Sequence, residues 1–168
     1  MGKEATTITP AGRDEALAAI WDIIDVGRTE GPQGSDVGKT PPVKIANGPA
    51  DSIAKRGISS KVVGPLGMLL GVGKGVVAEY LGIGRGTASR RASKDLPLPP
   101  HAAEVVLRLL ELDQMAVDTF ESQAASSGWL RKPHPMLDGE SPLAYARSSH
   151  GAQRVKDMLV AMKYGGAL

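Results

Sequence analysis

Basic side chains are concentrated in one stretch of the chain, residues 53–94. This stretch holds eight lysines and arginines and a single acid, Glu79, which gives a net charge of +7. Residues 1–52 carry a net charge of −3 and residues 95–168 carry −2, so the whole-chain value of +2 conceals a basic module between acidic flanks. Lysine and arginine neutralise phosphates, and the resulting affinity falls steeply with salt. The charge distribution therefore predicts a contact with nucleic acid.

The glycine-rich runs near this module do not fit a nucleotide-binding loop. Gly73-Lys74 is followed by Gly75, where a P-loop has Ser or Thr, and Met68 stands where the first glycine of that motif belongs. The Gly-x-Gly pairs at 71–73 and 82–84 lack the third glycine of a dinucleotide fingerprint. Neither run predicts nucleotide binding.

Residue types that support catalysis or metal binding are scattered through the chain. There is no cysteine, and His101, His134 and His150 are not spaced like metal ligands. No serine lies on a nucleophile-elbow pattern. We therefore expect a binding protein without a cofactor, not an enzyme.

Two short helices are predicted to present the basic residues. Lys74 to Leu81 forms the first helix, Gly82-Ile83-Gly84 the turn, and Arg85 to about Ser93 the second helix, with Ala88 and Ala92 on its buried side. This pattern is typical of a helix-turn-helix, whose second helix fits the major groove of DNA. The alternative is an ordinary helical hairpin with a solvated basic face.

The outward positions of this pair supply the candidate DNA contacts. Those expected to face bases are Arg85, Thr87, Ser89 and Arg90, and those expected to face phosphates are Lys74, Arg91 and Lys94.

Further helices are predicted on both sides of the pair. A helix from Arg13 to about Val26 has an apolar stripe of Leu17, Ile20, Trp21 and Ile24, with Trp21 as a packing anchor, and a Gly- and Pro-rich linker follows at 27–50. A helix over 61–70, with Gly64-Pro65 as the alternative start, packs behind the pair. The long helix 101–121 forms its back wall and a homodimer face, which would match a palindromic operator.

The C-terminal third has its own pattern. Ser141-Pro142 predicts the cap of a short helix, and the last helix, 148–162, has Val155, Met158, Leu159 and Met162 at helical spacing. The ordered set Trp129-Leu130, Pro133, Leu137, Gly139, Ser141-Pro142-Leu143, Gly151, Val155, Leu159 and Tyr164-Gly165 resembles the toxin-binding domain of antitoxins of the Xre/MbcA/ParS family. Upstream, Leu81-Gly82-Ile83, Thr87 and Arg90-Arg91 resemble the Xre-type reading pair of the same family. The resemblance covers about residues 60–168.

This resemblance implies a partner and a site. Members of the family are encoded with a RES-domain toxin that depletes NAD; they block its active-site cleft and repress the shared promoter. By that resemblance the toxin-binding residues are expected to be Trp129, Pro133 and Leu137, which would also shape the domain, and Lys163, Tyr164, Gly165, Gly166 and Leu168 at its end. Asp157 joins this set on a charge argument of our own. A cleft that admits an anionic dinucleotide should be electropositive, so Asp157, Glu140 or the terminal carboxylate could enter it.

We therefore predict an all-α protein in which an Xre-type helix-turn-helix module is followed by a small helical toxin-binding domain. The predicted parts are an N-terminal arm at 1–52, a DNA-binding and dimerisation module at 53–121 and a toxin-binding domain at 122–168. With neither a signal peptide nor a membrane span, a cytoplasmic homodimer is expected. Two alternatives stay open: a stand-alone repressor without a toxin partner, and an inhibitor that has lost DNA binding.

Overall fold

The structure, a computed structural model, describes residues 10–25 and 57–165. Within these ranges every regular element is helical, which confirms the all-α fold class. The α-helices are α1 (Pro10–Asp25), α2 (Val63–Leu70), α3 (Lys74–Tyr80), α4 (Arg85–Ser93), α5 (Pro100–Phe120), α6 (Gln123–Arg131), α7 (Pro142–Tyr145) and α8 (Ser149–Tyr164), with 3-10 helices at Ser60–Val62 and Pro135–Leu137. The predicted linker at 27–50 lies outside the described residues, as do Gly166 and Leu168 of the predicted toxin site.

Helix α5 runs through the centre of the core. It begins with Pro100 after Pro99, and a proline in the first turn loses no hydrogen bond because the N–H groups there have no partner within the helix. Ten of its 21 residues are buried, and they lie on more than one face because α6 and α8 pack against it. Side chains such as Leu107 and Leu110 are thus buried by contacts within the same chain. Little apolar surface of this helix is left for the predicted homodimer face. Dimerisation stays a prediction, and no surface is assigned to it.

One continuous core joins the helices before and after residue 121. It includes Leu66 and Leu69 of α2, Leu81 after α3, Leu143 of α7 and Leu159 of α8. The predicted boundary at 121/122 falls just after α5, whereas α6 and α8 both pack on that helix. The two predicted modules therefore share α5 as a common packing partner.

Helix α1 packs against α2, and Leu17, Ile20 and Ile24 of the predicted stripe lie on or in the core. The structure buries Arg13, Ala16 and Ile20, which follow three- and four-residue spacing. Trp21 is only partly buried, and it is not among the partly buried side chains that pack on the core. The prediction that Trp21 anchors this helix is wrong, because the helix turns its Arg13 side towards the core.

A buried ion pair joins α1 to α5. Arg13 is 4% exposed and Asp113 2% exposed. The Arg13 guanidinium donates to both carboxylate oxygens, with Nη1 3.0 Å from Oδ1. Burial raises the pKa of Asp113, and the hydrogen bonds from Arg13 oppose that rise. Because taking both charges out of water offsets much of their attraction, the pair fixes the position of α1 without adding much net stability.

The segment after α4 is tied to the segment before α2. The Leu98 N–H donates to the Ile58 carbonyl at 2.6 Å and the Ser60 N–H to the Leu96 carbonyl at 3.0 Å, around an isolated antiparallel bridge between Ser59 and Pro97. These bonds close the three helices α2 to α4 into one unit. Helix α2 itself begins at Val63, one residue before the alternative start predicted at Gly64-Pro65.

Across residues 10–25 and 57–165, no single helix is long and apolar enough to cross a membrane. By length and composition alone, Ser60–Leu70 taken together with Lys74–Tyr80 would qualify, but the two are bent by 109°. Their apolar side chains Leu66, Leu69 and Val77 are buried in the core.

Candidate functional site

Helices α3 and α4 form the two-helix unit that the sequence predicts. Gly82 adopts a φ of +66°, which favours glycine, and the Ile83 N–H donates to the Ala78 carbonyl at 3.0 Å. Ile83 packs on the core between the two helices, as predicted. Ala88 is buried, whereas Ala92 is only partly buried. The turn thus sets the angle of α4, which begins at Arg85.

The outward surface of this pair is cationic. Lys74, Arg85, Arg90 and Lys94 are exposed, and none of the four forms an ion pair within the described part of the chain. Ser89 is exposed as well. Unpaired cations on one surface keep their full charge for a partner of opposite sign.

Two predicted DNA contacts are less available. Thr87 and Arg91 are only partly buried, and Arg91 Nη1 donates to the Pro97 carbonyl at 2.9 Å. This hydrogen bond holds Arg91 against the segment that closes the unit. Its charge remains at the surface, but its guanidinium already has one structural partner.

The C-terminal helices are attached to this pair through polar contacts. Arg131 Nη1 of α6 donates to the Gly71 carbonyl, 3.2 Å away, in the turn between α2 and α3. At the other end of α3, Tyr80 lies beside Ser141. Burial raises the pKa of Tyr80, and the Ser141 side chain opposes that rise. These contacts fix the C-terminal helices relative to α3.

Trp129 and Leu137, both predicted to bind a toxin, have mainly structural positions. The Trp129 ring is partly buried, with its centroid 5.7 Å from that of Phe120 and 6.4 Å from that of His134. Leu137 is 0% exposed, at the end of the 3-10 helix Pro135–Leu137. The prediction that Leu137 contacts a partner is wrong, because its side chain is enclosed by the core. Pro133 is exposed.

Serine hydroxyls cap the last two helices. The Ser141 Oγ accepts from the Ala144 N–H at 3.3 Å, as predicted for the start of α7. The Ser148 Oγ accepts from the Gly151 N–H at 2.9 Å, which caps the start of α8. Side-chain caps of this kind satisfy N–H groups that have no partner within the helix. They fix where α8 starts, and hence which of its side chains face outward.

The outer face of α8 carries an exposed apolar pair. Val160 is 47% exposed and Tyr164 is 76% exposed, and their four-residue spacing places them on one face. Asp157, one turn earlier, is exposed, and its Oδ1 accepts from Gln153 Nε2 at 2.8 Å. Gly165, with φ of +68°, ends the helix beside this face. We call Asp157, Val160 and Tyr164 the α8 patch.

Lys163, also predicted to bind a toxin, lies beside the α8 patch and is paired. It donates to Asp118 of α5, and this hydrogen bond raises the pKa of the lysine. Its Nζ lies 5.8 Å from the centroid of the Tyr164 ring. The lysine therefore supports the position of Tyr164 and links α8 to α5.

The sequence analysis does not include Val160 among the contact residues, although its position in the helical period indicates that it is exposed. Val155, Met158 and Leu159 are buried along the inner face of α8, so position 160 falls on the opposite side. An apolar residue on the solvated side of an amphipathic helix is an indication of a contact surface.

The toxin-binding resemblance can be compared with these positions. Residues 115–165 match the family model of the antitoxin Xre/MbcA/ParS C-terminal toxin-binding domain. This range runs from the last turns of α5 to the residue that ends α8, and it contains the whole α8 patch. A comparison with curated proteins gives no match.

The chain thus carries an antitoxin toxin-binding domain, formed by the end of α5 and helices α6 to α8. The match confirms the resemblance predicted from Trp129 to Gly165.

Proposed function

We propose that this protein inhibits a RES-type, NAD-depleting toxin through the α8 patch and represses its own promoter through α3 and α4. The observation that carries the proposal is the exposed Val160–Tyr164 pair on the helix that completes the matched domain. The protein acts by binding, with no catalytic role for its own residues. Dimerisation would let two reading pairs meet a palindromic operator.

The composition of the α8 patch supports a protein partner. Covering exposed tyrosine and valine side chains lowers the free energy of the complex. Tyrosine is also enriched among the residues that dominate binding energy at interfaces. Asp157 adds a negative charge at the edge of the patch. A toxin cleft that admits anionic NAD would be electropositive and would complement that charge.

A co-expression experiment tests the toxin half of the proposal. The protein is expressed with a RES-type toxin encoded beside its gene, and growth and co-purification are measured. Because the side chains at 160 and 164 are exposed, Val160→Ser with Tyr164→Ala should keep the fold and cost about 2 kcal/mol or more of toxin affinity. Met68→Ala, an exposed apolar residue on α2, is the matched control. Full inhibition by the double variant would refute the α8 patch.

The unpaired cations of α3 and α4 support DNA binding. Arg85 and Arg90 are both exposed on α4, the helix expected to enter the major groove. A gel shift with the promoter of its own gene, at two salt concentrations, measures the contribution of phosphate contacts. Arg85→Ala should cost about 1–3 kcal/mol if it forms a bidentate contact with guanine. Lys132→Ala, which removes an exposed charge outside the pair, should leave affinity nearly unchanged.

The same two assays separate the alternatives. A stand-alone repressor would shift the promoter and fail to co-purify with the toxin. An inhibitor without DNA binding would rescue growth and fail to shift the promoter.

A further inference from the structure

The outer side of α8 carries basic residues at the end opposite the Val160–Tyr164 pair. His150 and Arg154 are exposed in the first two turns, and Asp157, Val160 and Tyr164 follow on the same side at three- and four-residue spacing. By the rise of an α-helix, Arg154 lies about 15 Å from Tyr164 along the axis. One exposed stripe of α8 is therefore basic where the helix begins and apolar where it ends.

A cleft of about 620 Å³ adjoins the basic end of this stripe, between α7 and the first turns of α8. All the residues that line it fall within the matched range 115–165. The side chains that matter below are those of Glu140, Arg147, His150 and Arg154. Three of these four are basic, whereas residues 95–168 as a whole carry a net charge of −2. The cleft is thus a positively charged hollow in an acidic part of the chain.

The loop between α7 and α8, which forms one wall of the cleft, is held by α5. Arg108 Nη1 donates to the Arg147 carbonyl at 3.0 Å, and Arg108 Nη2 donates to Ser149 Oγ at 3.0 Å. The Ser148 Oγ accepts from the Gly151 N–H and fixes the same loop to the start of α8. The backbone that carries Arg147 is therefore in place before a partner binds, which lowers the entropy lost on binding.

Two arginines of the cleft are available to a partner. Arg154 is exposed and forms no ion pair within the part of the chain that the structure describes. Arg147 Nη2 lies 3.8 Å from Glu140 Oε2, and the Arg147 side chain is 45% exposed. A pair so long and so exposed adds little stability. Arg147 can therefore exchange Glu140 for another carboxylate, while its Nε stays bonded to the Ala144 carbonyl at 2.9 Å.

We propose that this cleft, which we call the α7–α8 cleft, binds an acidic side chain of the toxin. Arg147 and Arg154 donate to the carboxylate of a glutamate or aspartate on the toxin surface, outside its active-site cleft. A guanidinium suits this role because its planar set of donors matches both carboxylate oxygens. The inference rests on the proposed function, since it takes the toxin as the partner. It adds an electrostatic contact to the apolar contact made by Val160 and Tyr164.

Contacts of different chemistry at the two ends of one helix fix the direction in which α8 docks. Val160 and Tyr164 need a surface that buries them, and Arg154 needs a carboxylate about 15 Å away along the helix. A toxin docked the opposite way round would place that carboxylate against Tyr164 and leave both arginines without a partner. The α7–α8 cleft thus contributes specificity and orientation in addition to affinity.

Affinity measurements at two salt concentrations test the contact. The full chain is titrated against the purified RES-type toxin encoded beside its gene. Arg147→Gln with Arg154→Gln should weaken binding by about tenfold or more at low salt. The loss should shrink at high salt, because exposed charges are screened. The loss caused by Val160→Ser with Tyr164→Ala should depend little on salt, since it comes from apolar surface.

A matched pair of substitutions separates the cleft from the net charge of the chain. Arg90→Gln with Lys94→Gln removes two exposed cations outside the matched domain and should keep toxin affinity. Equal losses in the two double variants would overturn the proposal. Arg154→Gln alone, whose side chain is exposed, shows the effect without disturbing the Arg147 hydrogen bond. Its melting temperature should equal that of the wild type.

Glu140 gives a test with the opposite sign. It competes with the toxin carboxylate for Arg147, so Glu140→Gln should tighten toxin binding by about twofold or more at low salt. Weaker binding by this variant would show that Glu140 itself meets a cation of the toxin, and it would overturn the proposal.

A charge exchange across the interface identifies the partner group. Arg154→Glu should weaken binding more than Arg154→Gln does, because it sets two like charges against each other. Changing one exposed acid of the toxin to lysine should then restore binding. If no such substitution around the active-site cleft of the toxin restores it, the proposal is overturned.

A gel shift with promoter DNA keeps the toxin contact distinct from a nucleic-acid contact. Arg147→Gln with Arg154→Gln should shift the promoter as the wild type does. A variant that loses this shift and keeps its toxin affinity would make the cleft a DNA contact and overturn the proposal, while the Val160–Tyr164 contact would stand. A wild-type chain that does not bind the toxin would overturn the proposed function as well.

Discussion

At the scale of single residues, five of the described cations are neutralised by a carboxylate. Arg13, Lys61, Arg147, Lys156 and Lys163 each form an ion pair with a carboxylate. Among the residues that the structure describes, the cations of α3 and α4 have no carboxylate partner. Exposed ion pairs add little stability, but they neutralise charge locally. The positive charge that the sequence places in residues 53–94 is therefore most available on the two helices proposed to contact DNA.

The buried Arg13–Asp113 pair yields a stability prediction. Asp113→Leu alone should destabilise the chain by about 3–5 kcal/mol, because it leaves the Arg13 charge buried without a partner. Arg13→Met combined with Asp113→Leu should be neutral or stabilising by about 1–4 kcal/mol. Urea unfolding measures both, and a double variant as unstable as the single one would contradict this account.

The same pair predicts a pH dependence. The pKa of Asp113 in the folded chain lies above its ordinary value of 3.8. The folded chain thus keeps this proton to higher pH than the unfolded chain, so the contribution of the carboxyl group to stability declines as the pH rises from 3.8 through the folded pKa. The unfolding free energy of the wild type, measured relative to the double variant, should fall across that window. A rise in this free-energy difference with pH would mean that the hydrogen bonds from Arg13 affect the pKa of Asp113 more than burial does.

Individual site residues were predictable only where helical spacing decides their exposure. The outward positions of Arg85 and Arg90 follow from the period of α4. The burial of Leu137 does not, because a three-residue 3-10 helix has no period to read. The pairing of Lys61 with Asp95 depends on a contact between residues 34 positions apart. No local pattern encodes such a contact.

At the scale of elements, capping residues and apolar periods located most helices. The turn between α3 and α4 and the serine before α7 were predicted at their observed positions. Helix α6 was not predicted, since only Ser126 and Leu130 of its nine residues are buried and its amphipathic pattern is short. It is stable because α5 packs against it, which the sequence of α6 alone cannot indicate.

Helix α8 approaches the end of α7 closely at Gly151. A Cβ on Gly151 would lie 1.9 Å from the Tyr145 carbonyl oxygen, a backbone atom that cannot move aside easily. Gly151→Ala should therefore destabilise the chain by about 1–3 kcal/mol, as overpacking does.

Gly128 of α6 is the control for this substitution, because a Cβ there meets nothing within 4 Å. Gly128→Ala should stabilise the chain by about 0.5–1 kcal/mol, since alanine loses less entropy in a helix. Thermal unfolding of the two variants should shift in opposite directions. A shift of the same sign in both would show that Gly151 is not needed for close packing.

At the scale of the whole molecule, the shared core predicts a single unfolding transition. α6 and α8 pack on α5, and Arg131 of α6 adds a hydrogen bond to the turn between α2 and α3. Far-UV circular dichroism and tryptophan fluorescence should therefore give the same midpoint. A fragment of residues 122–168 should not fold alone, because it lacks α5. Two separate transitions, or a folded fragment, would restore the two-module description.

Helix α5 also determines how parts of such proteins can be exchanged. In a chimaera that joins a foreign recognition unit to this toxin-binding domain, a junction after residue 121 would remove α5, the helix against which α6 and α8 pack. A workable junction would lie ahead of Pro99, so that α5 travels with its C-terminal neighbours. The grafted unit would then have to supply complementary side chains for the opposite flank of α5. Specificity for operator and for toxin would thus be inherited through one helix that contributes to both.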